Sequence, residues 1–512
     1  MFLLLAPMTA ILGGLIVPLF SNGRTRRLFV LGTTLVTSAV LIGICHAQTN
    51  ENITLFSLTP VFSIGFRLDA VNRLFLLLIA FLWPLSILYS FEYMENDPRQ
   101  SSFFTFYILA YGITQLLAMS HSLFALYLFY ECLTLITLPL VTHYENEDSL
   151  RAGMVYLKYT VGGAALGLIG LIVYGQLNAS GVFMPHGQQL SNSSPAALPL
   201  VFVQLSFLLA FIGFGAKAAV FPLSAWLPRV SVAPTPVTAL LHAVAVVNAG
   251  VFSCIRLIYD CFDLKMFYGT WVQTVLLLLS SFTIVFGAVM AVRERHLKRR
   301  LAWSTVYNLS YMLFSASLMT QDGLRGSLTH FIFHSLMKMI LFFCAGTFLL
   351  RAKAEYLPEL RGLFHRMPVT VIIYTLAGVS LTGIPPFVGF LSKLNIVTAA
   401  LDLGSWPAWV GAGAVILSSV LACVYLLEPA VQMFFLPSTD NRSSEMNKAK
   451  GVSSEKKSPL VSVSSSAAEQ HRSLDPSWRI LVPLLILTAL IIVLGFWPSP
   501  VYAALTQAVS LY

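Results

Sequence analysis

The sequence predicts an all-α polytopic membrane protein, and three observations support this fold class. Of the 512 residues, 57% are hydrophobic and only 10% are charged, whereas soluble domains carry about 25% charged residues. The mean hydropathy is +0.78. Polar residues are clustered between apolar runs near twenty residues long, the length at which a helix crosses about 30 Å of hydrocarbon. The composition excludes soluble, disordered, collagen-like and disulfide-rich proteins.

Apolar runs of this length predict about fourteen membrane-spanning helices, called spans 1–14 here. The first span lacks the basic start of a cleaved signal peptide and is followed by three arginines, so we expect it to be retained. Spans 7 and 12 are long because each contains an internal break. The predicted spans are 2–20, 28–45, 70–91, 103–119, 122–142, 154–175, 200–228, 236–258, 271–291, 301–319, 326–349, 369–399, 409–436 and 480–497.

The basic residues are distributed unequally between the two sides of the predicted membrane. Loops after the odd-numbered spans hold 22 of the 31 Lys and Arg residues, whereas the opposite loops hold only Arg67, Lys265 and Arg325. Because Lys and Arg are enriched in cytoplasmic loops, the N-terminus is predicted to lie outside. The net charge of +9 therefore indicates membrane topology, and we expect no nucleic-acid partner.

Neither the loops nor the cysteines indicate a soluble catalytic centre. The stretch from Pro437 to Asp475 is Ser-rich with mixed charges and cannot bury enough apolar surface to fold alone, so we expect a flexible cytoplasmic loop over 437–479. The segment from Asn178 to Pro195 would be its shorter counterpart outside. The six cysteines form no C-x-x-C pair, which gives no support for an iron–sulfur cluster, a zinc site or covalently attached haem. We predict no cofactor and no metal.

A small set of ionisable side chains lies inside the predicted spans, where each charge costs at least about 2.5–3.5 kcal/mol near the centre of the membrane. Residues that persist there mark ion or proton pathways. Arg73 and Arg256, near span ends, and Glu428, beside Pro429, are weaker members of the set. The stronger members are Glu131, Lys158, Lys217, His242, His330, His334, Lys338 and Lys393.

Proton transfer is the chemistry that best fits a Glu, several Lys and several His inside a membrane. Buried side chains of these types can exchange protons near neutral pH, and moving a carboxylate toward a lysine changes the proton affinity of that lysine. Each residue taken alone has an inert alternative. Lys158, near a cytoplasmic end, can extend its ammonium group to the interface, and His242 can be an ordinary core histidine. The inert role is weaker for Glu131 and Lys217, which lie well inside their spans.

His330, His334 and Lys338 follow one another at i, i+4 and i+8. On a helix these positions cover about 80° of one face and climb about 12 Å, so they form a row. A metal site is the alternative, since two imidazoles four residues apart can bind one ion. No third type of ligand follows, and Lys338 is a poor neighbour for a cation, which favours proton transfer.

Both predicted breaks lie beside a lysine inside a span. Lys217 is followed by Pro222 and Pro228, and the segment 383–386 (GIPP) ends seven residues before Lys393. Broken helices leave backbone groups that need water or polar side chains, and paired broken helices in the two halves of a chain mark transporter sites. A simple proline kink is the alternative for each break alone.

Four long motifs carry a resemblance to a known family. They are GAKAAVFPLSAWLPRVSVAPTPVTALLHAVAVVNAGVFSCIRL (215–257), HLKRRLAWSTVYNLSYMLF (296–314), HFIFHSLMKMILFFCAG (330–346) and GIPPFVGFLSK (383–393). The chain resembles the antiporter-like membrane subunits shared by respiratory complex I (NADH:quinone oxidoreductase), membrane-bound hydrogenases and Mrp-type cation/proton antiporters. The looser resemblance covers residues 60–430.

This resemblance implies fourteen helices, in which spans 4–8 and 9–13 form two inverted five-helix repeats and spans 7 and 12 are discontinuous. It also implies that Glu131 pairs with Lys217 in an input half-channel, that His242 lies in a central relay and that Lys393 is the exit residue. The remaining relay residues would be His330, His334 and Lys338. The domains would be 1–102 (spans 1–3), 103–258 (first repeat), 271–436 (second repeat), 437–479 (cytoplasmic loop) and 480–512 (span 14 and tail).

The chain also departs from some family members. Span 8 offers His242 where some members carry a lysine, and span 12 carries Lys393 where some carry a glutamate. The histidine-rich pattern is most similar to the distal antiporter subunit of complex I and to the large Mrp subunit. We expect no long lateral helix after Tyr512, which leaves hydrogenase-type complexes, Mrp-type complexes and shorter complex I relatives open.

The leading hypothesis is a proton-translocating subunit of a redox-driven complex in an energy-transducing membrane, the prokaryotic plasma membrane. Its partners would be other membrane subunits, the lipid bilayer and H⁺, with electron transfer and any enzymatic activity in the partner subunits. The second hypothesis is a subunit of an Mrp-type Na⁺/H⁺ antiporter, although a Na⁺ site needs clustered oxygens and the spans offer few carboxylates beyond Glu131. The third is a structural subunit whose buried charges only hold helices together.

Overall fold

The computed structural model describes residues 2–47, 52–59, 61–177, 181–185, 198–437, 474–510 and 512. Most of the loop expected over 437–479, and most of 178–195, lies outside these residues. The α-helices of the described chain are α1 (Leu5–Ile16), α2 (Gly23–His46), α3 (Ala70–Tyr93), α4 (Gln100–Met119), α5 (Leu123–Val141), α6 (Glu147–Leu177), α7 (Leu200–Gly215), α8 (Trp226–Arg229), α9 (Thr235–Ala243), α10 (Val246–Arg256), α11 (Trp271–Arg293), α12 (Leu297–Ala316), α13 (Gln321–Ala352), α14 (Pro368–Thr382), α15 (Val388–Leu403), α16 (Trp406–Phe435), α17 (Trp478–Phe496) and α18 (Ser499–Val509).

The chain is a mostly helical, polytopic integral membrane protein, as the composition predicted. Within the described residues, eleven helical stretches are long and apolar enough to cross a membrane. The half-helices α7 and α14 are apolar but shorter than these eleven stretches. Helix α12 carries three basic residues in its first turn and is not among the eleven. Helices at the periphery expose large apolar side chains, which suits contact with lipid; examples are Leu12, Leu15, Val420, Phe435, Leu485 and Val493.

The chain breaks its helices at both positions that proline and glycine indicated. After α7 ends, turns lead to the short helix α8, and α15 begins six residues after the last residue of α14. Gly383 ends α14 at φ +90°, a conformation that glycine adopts at little steric cost. The peptide bonds Phe221–Pro222 and Pro385–Pro386 are cis. The two breaks place Lys217 and Lys393 beside the C-terminal ends of half-helices.

A third break corrects the prediction of one continuous helix over 236–258. There, α9 and α10 are separate helices. The backbone N–H groups of Val244 and Ala245 both donate to the carbonyl of Leu240, at 3.1 and 2.9 Å. The Asn248 side chain donates to the carbonyl of the last residue of α9 at 2.9 Å. An asparagine side chain therefore satisfies part of the backbone that this break exposes.

Helix α13 lies at the centre of the fold and is buried along most of its length. It packs against α9, α12, α14, α15 and α17, so the row of titratable residues that it carries lies in the middle of the bundle. Two elements were not predicted from the sequence. One is α18, and the other is an antiparallel hairpin of β1 (Asn52–Ser57) and β2 (Ser63–Arg67) between α2 and α3.

Candidate proton-transfer site

Lys217 lies at the break after α7 and is fully buried. Its Nζ donates a hydrogen bond to the backbone carbonyl of Tyr130 on α5 and lies 3.4 Å from the centre of the Tyr130 ring. Glu131, the next residue of α5, is half-buried and interacts electrostatically with Lys217. Its Oε1 is buried without a hydrogen-bond partner. The structure therefore brings together the acid and the base that the sequence singled out.

A glycine allows α10 to approach this break closely. A Cβ atom at Gly250 would lie 2.6 Å from the backbone nitrogen of Ala218 and 3.0 Å from the Cβ of Lys217. On the opposite side, the Tyr130 hydroxyl donates to the carbonyl of Phe214 at 3.0 Å, which is one of the last carbonyls of α7. Helix ends leave such carbonyls without helical partners. The break is thus closed by α5 on one side and α10 on the other.

The α13 residues lie in a row, as their spacing predicted. All three are fully buried, and the ring centroids of His330 and His334 are 5.8 Å apart. Lys338 lies at the other end of the row and donates from Nζ to the Leu301 carbonyl at 3.0 Å and to the Ser304 hydroxyl. Both acceptors belong to α12. The ammonium group of Lys338 is therefore solvated by neutral oxygens of the adjacent helix.

His330 and His334 differ in their hydrogen bonding. His330 Nδ1 is 2.9 Å from the Ser392 hydroxyl, and its Nε2 is 3.1 Å from Oδ1 of Asn308. Both ring nitrogens of His334 are buried and have no hydrogen-bond partner. Ser392 and Asn308 already contact both ring nitrogens of His330. His330 and His334 therefore do not present two free imidazoles to one metal ion.

His242, at the end of α9, faces this row. Its ring stacks on Phe342 with the centroids 4.7 Å apart, both of its nitrogens lack hydrogen-bond partners, and it is within electrostatic reach of Lys338 and Lys298. Lys298 in turn donates to the Ala233 carbonyl at 3.1 Å. The α9–α10 break thus positions His242 within electrostatic reach of two lysines of the second half of the chain.

Lys393 lies on α15, just beyond the second break. Its Nζ donates to the carbonyl of Thr382, the last residue of α14, at 2.9 Å, and to the Ser419 hydroxyl of α16 at 3.0 Å. It is also within electrostatic reach of His330. A cavity of about 360 Å³ between α15 and α16, with mostly apolar walls, ends at this lysine and also borders Cys423.

The predicted site residues fall into two groups and one outlier. The first group is Glu131 with Lys217, and the second comprises His242, His330, His334, Lys338 and Lys393. Among the described residues, no hydrogen bond joins Lys217 to His242, since both nitrogens of His242 are unpartnered. Lys158 lies apart from both groups on an exposed face of α6.

Lys298 is a buried charge that the sequence analysis placed in a loop. It lies in the first turn of α12, is only 7% exposed, and borders a polar cavity of about 330 Å³ together with Tyr93, Tyr144 and Glu355. Span 10 was predicted to begin at residue 301, so this lysine was counted among the loop charges. Extending the span by one turn would have included it.

Two family models and several named relatives match this chain. The family model described as NADH:quinone oxidoreductase/Mrp antiporter matches residues 120–421, and the model of the complex I chain 5 N-terminus matches residues 58–104. The chain is 30% identical to NADH-quinone oxidoreductase subunit L of Mycobacterium tuberculosis over 72% of its length and 57% of the relative. It is 30% identical to hydrogenase-4 component B of Escherichia coli over 70% of its length and 55% of the relative. The chain thus spans little more than half the length of these two relatives.

A solved structure shows the same fold. The chain superposes on a chain of the membrane-bound sulfane sulfur reductase, described as an archaeal respiratory membrane complex, with a TM-score of 0.81. The match covers 99% of this chain and 96% of that one at 24% identity. The likeness extends over nearly the whole of both chains.

Proposed function

We propose a proton-translocating role for this chain, which belongs to the NADH:quinone oxidoreductase/Mrp antiporter family of membrane subunits. The chain would be an antiporter-like subunit of a redox-driven complex of the complex I or hydrogenase type. Its partners would be other membrane subunits, because the relatives bear the names of an NADH-quinone oxidoreductase subunit and a hydrogenase component. Electron transfer would take place in those partners.

The finer architecture belongs to the same proposal. Fourteen membrane-spanning helices would include two inverted repeats, 103–258 and 271–436, with the breaks at spans 7 and 12 in corresponding positions. The N-terminus would lie outside a prokaryotic plasma membrane, as the distribution of Lys and Arg favours. The matching positions of Lys217 and Lys393, each beside the C-terminal end of a half-helix, support this arrangement.

One observation carries the functional proposal: titratable side chains continue through the buried centre of the bundle from His242 to Lys393. His242 and His334 each interact electrostatically with Lys338, and His330 does so with Lys393. Charges inside a membrane are costly and persist at proton pathways. A set held only for helix packing would not need two unpartnered histidines in its centre.

The mechanism follows from these positions. Proton uptake at the Glu131–Lys217 pair would be controlled by their electrostatic interaction, because the ammonium form of Lys217 is favoured while the carboxylate is charged and close. Protons would then pass by way of His242 to the α13 row and leave from Lys393. A rearrangement near the α9–α10 break would connect Lys217 to His242, between which the described residues form no hydrogen bond.

The test uses the intact complex. The tagged chain is purified from its native membrane, its partners are identified by mass spectrometry, and the complex is reconstituted in liposomes. We expect Lys217→Met and Glu131→Gln each to lower proton uptake per electron by at least about tenfold without loss of subunits. Lys265→Met, at an exposed loop lysine, is the matched control. Full pumping by both site variants would refute the proposal.

The matched family model also names Mrp antiporters, which favours a second candidate, a subunit of a Na⁺/H⁺ antiporter. The same reconstituted complex separates the two. Copurifying redox subunits and proton uptake driven by an electron donor support the first function. Proton movement driven by an imposed Na⁺ gradient, without redox subunits, would support the second.

A further inference from the structure

A chain of buried hydroxyl groups runs between α12 and α16, beside the histidine row. The hydroxyls of Tyr307 and Tyr425 are 2.6 Å apart and hydrogen-bonded. Ser304 accepts a hydrogen bond from Lys338 Nζ and donates its own proton to the Leu301 carbonyl at 2.8 Å. Its side chain lies close to the Tyr425 hydroxyl. These polar groups lead from Lys338 toward Tyr307 without passing through a histidine, and a rotation of the Ser304 hydroxyl away from the Leu301 carbonyl would complete the series.

A second series of hydroxyls begins at Lys393. Its Nζ donates to the Ser419 hydroxyl at 3.0 Å, and Ser419 donates to the Val415 carbonyl at 2.8 Å. The Ser419 side chain lies close to the Tyr311 hydroxyl. The Tyr311 hydroxyl is also 2.6 Å from Ser418. Lys393 Nζ lies 5.6 Å from the centre of the Tyr311 ring. The exit lysine is therefore linked to α12 through α16.

The two series meet on α12. Tyr307 and Tyr311 are one helical turn apart, and their ring centroids are separated by 5.3 Å. Both side chains are fully buried, as are Ser304 and Tyr425. A hydroxyl group can donate and accept at the same time, so hydroxyls in series can pass a proton on without any of them becoming charged for long.

We propose that this series, called the hydroxyl arm and made of Ser304, Tyr425, Tyr307, Tyr311 and Ser419, is a second proton path between Lys338 and Lys393. The arm rests on the proposed function and deepens it, because it adds residues to the same translocation step. It runs parallel to the path through His334 and His330.

The transfer balances along the arm. The Ser304 hydroxyl first rotates from the Leu301 carbonyl toward Tyr425. The Lys338 ammonium then gives a proton to Ser304 as Ser304 gives its own proton to Tyr425, and Tyr425 passes one to Tyr307. A rotation of the Tyr307 hydroxyl, or one water molecule, carries the proton to Tyr311. Ser419 then gives its proton to the neutral amine of Lys393 and receives one from Tyr311. Lys338 ends neutral, Lys393 ends charged, and the hydroxyls return to their original state after rotation.

The hydrogen bonding of His334 and His330 shows how the hydroxyl arm and the histidine path are related. His334 has no partner at either nitrogen, so the histidine path is open at its middle position. The two paths approach each other at Asn308, which contacts His330 Nε2 at 3.1 Å through Oδ1 and lies close to the Tyr307 hydroxyl. The hydroxyl arm bypasses this position, and a hydroxyl rotation or one water molecule closes the gap between Tyr307 and Tyr311.

The experiment measures proton uptake per electron in the reconstituted complex. We expect the double variant Tyr307→Phe with Tyr425→Phe to lower proton uptake per electron by about twofold. Adding His334→Leu to this double variant should lower it by at least about tenfold, because losses on parallel paths are not additive. The solvent deuterium isotope effect on the remaining uptake should change in the double variant, which a purely structural role would not cause.

Tyr374→Phe is the matched control, since Tyr374 is a buried tyrosine whose hydroxyl has no hydrogen-bond partner; uptake should stay unchanged. Subunit composition, read from the tagged complex, verifies that each variant assembles. Normal uptake in the double variant, alone and combined with His334→Leu, would overturn the hydroxyl arm. If the arm variants take up protons normally while Lys217→Met abolishes uptake, the hydroxyl arm fails and the proposed function stands. If Lys217→Met also takes up protons normally, the proposed function itself fails.

Discussion

The two broken regions hold their lysines in different ways. Lys217 is enclosed between α5 and α10, and its ammonium group is bonded to a carbonyl of a different helix, within electrostatic reach of the carboxyl group of Glu131. Lys393 bonds to the carbonyl of Thr382, which its own break exposes, and borders an open cavity. The C-terminal end of a half-helix favours a cation in both regions. Among the residues that the structure describes, only the first region adds an acid.

This difference indicates how a lysine at a break can serve two purposes. Beside a movable carboxylate, the proton affinity of Lys217 changes when the distance to Glu131 changes. Lys393 is surrounded by neutral oxygens, so its proton affinity depends on hydration from the cavity. We infer that the first region controls proton uptake and that the second controls release. Each prediction below changes one of these features.

The largest effect is expected from Lys393→Met, which removes the titratable group of the second region. Proton uptake per electron should fall by at least about tenfold, with electron transfer and assembly retained. Thr398→Val is the control on the same helix, because its hydroxyl is exposed and bonds only to carbonyls of its own helix. Retained pumping in Lys393→Met would show that release does not need the second lysine.

The second prediction concerns the tight packing of the first region. Gly250→Ala would place a Cβ 2.6 Å from the backbone nitrogen of Ala218, and such overpacking costs about 1–3 kcal/mol. We expect a lower thermal midpoint of the purified complex and weaker pumping. Gly43→Ala, on an open face of α2 with no atom within 4 Å, should leave both unchanged or raise stability slightly. Equal behaviour of the two variants would show that the first break is not closed by α10.

The third prediction compares access to the two regions. Cys423 is half-buried and borders the cavity at Lys393, whereas Cys254 is buried and its Sγ contacts the Phe211 carbonyl at 3.7 Å. In variants that keep only one of these cysteines, N-ethylmaleimide should modify Cys423 and leave Cys254 unmodified. Modification at Cys423 should lower pumping severalfold, because it fills the space beside Lys393. Equal labelling of both thiols would contradict the difference in enclosure.

The sequence predicted those parts of the fold and site that depend on length, charge and proline. Apolar length predicted a polytopic helical membrane protein, the GIPP segment predicted the second break, and spacing predicted the α13 row. The α9–α10 break could not be predicted, because its support comes from the side chain of Asn248 rather than from a proline or glycine. Lys298 was missed because helix α12 begins among charged residues, which resemble a loop.

The hydroxyl contacts were also beyond the sequence. Serine and tyrosine occur throughout the apolar runs without a distinctive period or charge, so nothing in the sequence separates Tyr425 from an ordinary core tyrosine. Their partners lie on other helices, more than 100 residues away in the case of Tyr307 and Tyr425. Only the packing of α12 against α16 shows which hydroxyls meet.

The smallest effect is expected from Lys158→Gln. Unlike Lys217 and Lys393, Lys158 lies on an exposed face of its helix, where its long side chain can reach the membrane surface. Substitutions at such positions change stability by about 0.5 kcal/mol or less, so pumping should stay within the variation among wild-type preparations. A loss as large as that of Lys217→Met would extend the proton path to the outer face of α6, and the first region would then take up protons through a surface that the isolated chain leaves exposed.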